Sequence, residues 1–199
     1  MGTEDEEYAA RLSALGGARW KRVLNVQAPY RWRLRRQQLG RTLDVGCGLG
    51  RNLEVLAPGS VGVDHNPTSV RIAREQGYDA YTVEEFLASD HAVPGSFDGM
   101  LLSHVIEHLL PADGLDLMRT YLPFLRPGGR VLFICPQERG YASDETHVRW
   151  TTDDDLVTLS RDLGLRPRKL RSFPLPRLAG RWFTYNEFAV LAEKPDPDM

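Results

Sequence analysis

Short apolar runs bounded by glycine, proline and acidic residues alternate along the chain with amphipathic stretches, which predicts strands alternating with helices. Thr42 to Val45 and Val61 to Asp64 read as the first two strands, and Asp79 to Val83 as a third, edge-like one. Phe97 to Ser103 and the strongly apolar Arg130 to Cys135 read as the fourth and fifth, with Arg166 to Phe173 and Glu187 to Ala192 closing the pattern. Between them, helical segments are predicted around Arg51 to Leu56, from Asn66 and Pro67 to Gln76, from near His104, from Asp113 to Leu125, and over Thr152 to Leu163. Alternation of this kind implies a mainly parallel sheet covered on both faces.

Outside this pattern, residues 3–18 suggest a loose or helical arm. Arg19 to Arg36 is aromatic and basic, with Pro29 expected to interrupt any long helix. The predicted organisation is therefore an N-terminal helical arm over 1–40, one α/β domain over 41–194 and a tail over 195–199. Length, 199 residues, suits one well-buried domain. The 42% hydrophobic and 26% charged content is ordinary, and a formal net charge of −2 gives no general pull toward nucleic acid or an anionic membrane. Cys47 and Cys135 form no Cys-x-x-Cys pair, so neither a disulfide framework nor a structural zinc site is expected. The polar, acidic start and the lack of a long apolar run predict a cytoplasmic location without a membrane partner.

The chemistry begins at Leu43-Asp44-Val45-Gly46-Cys47-Gly48-Leu49-Gly50. Glycines there let the backbone turn sharply after a strand and approach a ligand closely, and a following helix N-terminus would offer free N–H groups. A dinucleotide fingerprint would place its third glycine one residue later, where Arg51 stands. Asp64 ends the second strand, where a carboxylate can accept ribose hydroxyls. This loop resembles the first motif of the class I S-adenosylmethionine-dependent methyltransferases. Ser96 to Leu109 resembles their fourth motif, and Leu125 to Val131 the turn before their fifth strand.

The resemblance implies a Rossmann-like, doubly wound domain with a seven-stranded, mostly parallel sheet whose last strand is antiparallel. It also implies S-adenosylmethionine as cofactor and S-adenosylhomocysteine as product. It assigns Gly46, Cys47, Gly48 and Gly50 to the cofactor loop, Asp44 to positioning the methionine amine, Asp64 to the ribose and His65 to the edge of the adenine. Val83, Glu84, Glu85 and Phe86 stand where the family contacts adenine. Ser103 and His104, at the tip of the fourth strand, would face the methyl donor, and Tyr30 and Arg31 would close over cofactor or substrate.

Methyl transfer at an activated sulfonium carbon needs alignment, and a hydroxyl acceptor also needs a base or a metal to take its proton. His104, Glu107 and His108 are spaced to share one face of a helix, and His147 of the loop after the fifth strand could converge on them. Three imidazoles and a carboxylate suit either a metal-free base or a divalent ion. The set is similar to that of the small-RNA 3′-terminal 2′-O-methyltransferases, with His104 replacing their first Glu. Gln137 to Ser143, with Arg139 and Tyr141, and Pro174 to Trp182, with Arg177 and Arg181, are expected to complete an acceptor pocket.

The predicted activity is methylation of a small-molecule acceptor, at oxygen, by a monomer or homodimer. One alternative is an RNA or tRNA methyltransferase using Arg19, Lys21, Arg22, Arg31, Arg33, Arg35 and Arg36 beside Trp20, Tyr30 and Trp32, although the acidic total charge argues against a nucleic-acid partner. A non-catalytic cofactor-binding scaffold is another, and a nicotinamide oxidoreductase a third.

Overall fold

A computed structural model describes residues 28–196. The predicted arm over 3–18, the basic residues Arg19, Lys21 and Arg22 with Trp20, and the end of the tail lie outside the described residues. The described chain falls into two compact units, divided between His91 and Ala92.

The first unit holds helix α1 (Ala28–Arg36), strands β1 (Thr42–Val45), β2 (Val61–Val63) and β3 (Ala80–Tyr81), and helices α2 (Pro67–Glu75) and α3 (Val83–Leu87). Its strands run in the order β3-β2-β1, all parallel. Every residue of β1 and β2 is buried, as expected of parallel strands covered on both faces. Gly62 is required by close packing, since a Cβ there would lie 2.6 Å from Cys47 Sγ.

Pro29 is the second residue of α1 as described, a place where a missing N–H costs nothing. Two local expectations need correction in this unit. Arg51 to Leu56 forms consecutive turns, with Val55 and Leu56 N–H groups both donating to Asn52 O; so short a segment cannot sustain a helix alone. The third strand stops at Tyr81 because Thr82 caps α3. Its hydroxyl accepts from Glu85 N while the Glu85 carboxylate accepts from Thr82 N, the reciprocal pattern written in Thr-x-x-Glu.

The second unit holds β4 (Phe97–Ser103), α4 (Pro111–Tyr121), β5 (Leu125–Pro136), α5 (Glu138–Tyr141), α6 (Asp153–Asp162), β6 (Arg166–Phe173) and β7 (Glu187–Glu193). Its order is β4-β5-β7-β6, with β4 and β5 parallel and β7 antiparallel to both β5 and β6. The seven strands are thus those of the Rossmann-like α/β class, mostly parallel with an antiparallel last strand. β5 begins earlier than its apolar run, because Leu125 already pairs with Phe97, and Gly128 takes a left-handed φ of 67° within it.

No α-helix starts at His104. Ile106–His108 is a single 3-10 turn, and Leu110 is extended ahead of Pro111, which opens α4. His104 itself has φ 59°, a left-handed conformation that costs energy in a residue with a side chain. The one-face helical arrangement of His104, Glu107 and His108 is therefore not how the fold uses them.

The cap of α2 gives a stability test. Asn66 is buried and its side-chain oxygen accepts from both Thr68 N and Ser69 N, at 2.9 and 3.1 Å. Asn66→Ala should lower unfolding free energy by about 1–2 kcal/mol, measured by urea denaturation; an unchanged midpoint would mean the cap carries no stability.

Candidate functional site

At the carboxyl end of β1, the glycine loop spends its donors internally. Gly46 and Cys47 N–H groups both donate to Val63 O, Gly48 N donates to Asp64 Oδ2 at 2.8 Å, and Gly50 N donates to Cys47 O. These four amides are engaged within the unit, and the segment that follows forms turns rather than the expected helix. What the loop offers is an open face. Gly48 has φ 53°, and a Cβ built on it would meet nothing within 4 Å.

Two carboxylates lie beside that face. Asp64 is buried, accepting from Gly48 N at Oδ2 and from Asn66 N at Oδ1, and each oxygen keeps a further lone pair. Asp44 is fully buried; Asn52 Nδ2 donates to its Oδ1 at 3.5 Å, and its Oδ2 accepts no hydrogen bond among the described residues. Burial pushes the Asp44 carboxyl up to about 7, against a lowering by Asn52 and with a further rise from the charge of Asp64. An orphaned buried carboxylate oxygen beside a second carboxylate suits a cationic ligand rich in hydroxyl donors. It is hostile to a pyrophosphate, which would meet two carboxyl groups.

The other sequence-assigned cofactor residues divide. Tyr30 Oη donates to Asn52 Oδ1 at 3.2 Å, and Arg31 pairs with Glu54, so both reach the turns after the glycine loop. His65 is exposed, with Nδ1 3.6 Å from Asp64 Oδ1. Phe86 is fully buried and unavailable to a ligand, and Glu85 is committed to its cap and to Arg74 at 2.6 Å. Val83 is half-buried and Glu84 exposed beside them.

At the carboxyl end of β4, the buried Glu107 organises the second unit. Its Oε1 stands 3.1 Å from His104 Nδ1, and its Oε2 accepts from Cys135 Sγ at 3.4 Å. Its carbonyl accepts from Val148 N and Arg149 N, tying down the loop after β5. His104 Nε2 lies 3.0 Å from Glu187 Oε1 at the start of β7. Only an imidazolium can donate to a carboxylate from both nitrogens. Burial alone would lower this imidazole, but hydrogen bonds and charge from Glu107 and Glu187 outweigh it and carry the group up to about 10. Burial likewise opposes ionisation of Glu107, yet His104 holds its carboxyl below the ordinary range. The predicted roles of His104 as general base and metal ligand are corrected accordingly, because neither ring nitrogen retains a lone pair. Ser103, half-buried, ends β4 beside it.

His108 and His147 are differently placed. His108 Nδ1 donates to Thr146 O at 3.1 Å and His147 Nδ1 to Tyr141 O at 2.7 Å, which leaves Nε2 of each as the lone-pair atom. Their ring centroids are 4.8 Å apart. Burial pushes His108 below the usual histidine range despite the opposing charge of Glu107, so it is neutral at pH 7. Ligand atoms of Glu107, His108 and His147 lie within 4.8 Å of one another.

Part of the expected acceptor pocket proves structural. Gln137 and Asn186 are fully buried and bonded to each other at 2.9 Å. Gln137 also donates to Ser172 Oγ and Glu187 O, and Asn186 Oδ1 accepts from Leu175 N. Arg177 is paired through both terminal nitrogens with Glu138, so it is not a vacant anion site. Tyr141 stacks on His147 at 5.1 Å, and Arg139 is exposed. Tyr185-Asn186-Glu187 reads in the sequence as polar side chains that could bind substrate or pin the loop; Glu187 pairs with His104, 83 positions away, and the β5–β7 register brings it there.

Residues 43–133 match the family model described as "Methyltransferase domain". Over these residues, somewhat under half of the chain, the sequence is similar to a methyltransferase domain, and the fold is that of S-adenosylmethionine-dependent methyltransferases. A "Ubiquinone biosynthesis O-methyltransferase" of Xanthomonas campestris pv. campestris is 33% identical over 110 residues, covering 50% of this chain and 44% of that relative. The chain thus spans less than half the length of that curated relative. Among solved structures, a SAM-dependent methyltransferase from Archaeoglobus fulgidus matches 83% of this chain and 93% of its own at 21% identity and a TM-score of 0.63. The Burkholderia thailandensis 1,6-didemethyltoxoflavin-N1-methyltransferase, solved with 1,6-didemethyltoxoflavin and S-adenosylhomocysteine bound, matches 98% and 92% at 21% identity and a TM-score of 0.57. Both structural likenesses concern the fold, and the cofactor of this family is S-adenosylmethionine.

Asp44 makes the ligand-free methyltransferase fold sensitive to pH. A carboxyl raised from 3.8 to about 7 on folding leaves stability complete below pH 4, reduces it as pH rises toward 7, and leaves it flat above. Asp44→Asn should remove that decline, so that its stability relative to wild type grows by up to about 4 kcal/mol between pH 4 and pH 8. Denaturant melts across this range check it; a pH-independent difference would show that Asp44 ionises without cost.

Proposed function

We propose that this chain transfers the methyl group of S-adenosylmethionine to a small-molecule acceptor, at an acceptor oxygen. The observation that carries the cofactor side is the orphaned Asp44 Oδ2 beside Asp64 and the open Gly48 face. In this reading Asp44 holds the ammonium of the donor, Asp64 accepts its ribose hydroxyls, and the Gly48 backbone admits it closely. When bound, the donor supplies an electrophilic methyl carbon on a sulfonium, so the protein's remaining tasks are alignment and proton removal.

Preference for oxygen rests on the second unit. A hydroxyl must lose a proton, and His108 is a neutral imidazole whose Nε2 keeps its lone pair because Nδ1 is fixed on Thr146 O. His147, fixed the same way on Tyr141 O, stands beside it to accept or relay that proton. His104, held charged between Glu107 and Glu187, positions rather than deprotonates. The Xanthomonas relative, an O-methyltransferase, supports the choice of oxygen; the Burkholderia neighbour is an N1-methyltransferase and supports only a small-molecule acceptor.

Calorimetric titration with S-adenosylhomocysteine tests the cofactor assignment. Wild type should bind at micromolar affinity or tighter and Asp64→Ala at least tenfold more weakly with an unchanged fold; equal affinities would remove Asp64 from the site. With a panel of phenols and amines, His108→Ala should depress transfer to phenols more than to amines.

A second reading is favoured by the same pair. Imidazoles whose Nδ1–H is held by a carbonyl present Nε2 in the way metal-binding histidines do, and Glu107 adds a carboxylate. A divalent transition ion would draw these atoms several tenths of an ångström closer than they stand, since ligands at about 2.1 Å from an ion cannot be more than about 4.2 Å apart. Metal analysis after dialysis against Zn²⁺ or Mn²⁺ decides it. One equivalent in wild type and none in His147→Ala supports the ion; none in either leaves the histidines as the base.

A further inference from the structure

The formal charge of −2 conceals a strong local segregation. From Leu163 to Asn186 the chain carries Arg166, Arg168, Lys169, Arg171, Arg177 and Arg181 and not one Asp or Glu; Arg168 is paired with Glu193 of β7 and Arg177 with Glu138, so Lys169, Arg171 and Arg181 carry most of the local charge. The same stretch holds the most exposed large apolar side chains of the second unit: Trp182 at 75%, Leu178 at 66% and Tyr185 at 60%, with Leu170, Leu175 and Phe183 also exposed. We propose that β6 and the β6–β7 connection form a docking surface for an anionic lipid bilayer.

The fold presents this segment firmly. β6 ends the strand order, pairing with β7 alone among the strands, and Arg166 and Arg168 to Arg171 are exposed on it, while Pro167, Ser172 and Phe173 are half-buried. The connection is pinned at its base. Gly180 packs so tightly on Gln137 that a Cβ would lie 2.0 Å from Gln137 Oε1, Asn186 is buried in its hydrogen-bond network, and Arg177 is clamped by Glu138. With backbone and base held inward, Leu178, Arg181 and Trp182 are left facing solvent, and the Phe183 and Tyr185 rings pack edge to face at 5.7 Å. Each exposed apolar group costs free energy in water that a soluble surface has no reason to bear in such density.

The mixture selects the occupant. Aromatic and aliphatic groups interleaved with arginine and lysine match the depth profile of a membrane interface, with apolar parts entering the acyl boundary and cations meeting phosphate headgroups. RNA would use the aromatics and the cations, but Leu170, Leu175 and Leu178 have no base to stack on. A second copy would bring the same cations face to face along an edge strand, the usual device against edge pairing. No helix among the described residues is long and apolar enough to cross a membrane, so contact would be with its surface.

Co-sedimentation of the full chain with vesicles tests this without relying on catalysis. Binding should be strong to vesicles of phosphatidylglycerol and phosphatidylcholine in equal parts, at least tenfold weaker to phosphatidylcholine alone, and reduced by salt. Leu178→Ser with Trp182→Ser, and separately Lys169→Glu with Arg171→Glu, should each weaken binding at least fivefold while thermal unfolding and S-adenosylhomocysteine affinity stay unchanged. Absence of binding to the anionic vesicles, equal binding to both vesicle types, tighter binding to a single-stranded RNA oligonucleotide, or a dimer that the Leu178 and Trp182 changes dissolve would each overturn the proposal. Retained S-adenosylhomocysteine binding in any of these cases separates its failure from failure of the methyltransferase reading.

Discussion

A carboxylate buried without a cation is among the costliest groups a protein can hold, and in the second unit that constraint falls on Glu107. Its side chain is wholly buried at the end of β4, so the chain must bring it a positive charge and satisfy its remaining lone pairs. His104 supplies the charge from a strained left-handed backbone, and Cys135 donates to the other oxygen. The Glu107 carbonyl then anchors Val148 and Arg149, which sets the course of the loop that delivers His147. Through His104 the same centre reaches Glu187 and so the first residue of β7. Loss of the Glu107 side chain would leave His104 paired with Glu187 alone and Cys135 without its acceptor, while the main-chain carbonyl that anchors the loop would remain.

The first unit carries the opposite arrangement. Asp44 is equally buried but has only Asn52 as donor among the described residues, and its Oδ2 has none. One buried carboxylate is therefore neutralised by the protein, and the other lacks a cation among the described residues. In the proposed function a ligand would supply that cation, which would account for a residue that weakens the fold at neutral pH.

The polar core beneath the β6–β7 connection serves a comparable division of labour. Gln137, Ser172 and Asn186 satisfy one another and fix the backbone, which frees the residues above them from any packing duty. Exposed leucines and aromatics over so rigid a base are then a surface property rather than the residue of loose packing.

Much of this protein was legible from local chemistry. Buried apolar runs marked most of the strands, Asn66-Pro67 marked the start of α2, and the helix expected over Thr152 to Leu163 is α6, with Thr152 as its cap. These features act over a few residues, where steric limits, capping and burial leave one solution. What the tertiary structure decided was protonation and partnership. His104 reads as a base in the sequence and becomes an imidazolium because Glu187, brought alongside by strand register, takes its second N–H. The loop amides read as free donors and are consumed by Val63 and Asp64, while Phe86 reads as a cofactor contact and is core. Charge state and donor availability depend on which distant groups lie within about 3 Å, and only the packed chain sets that distance.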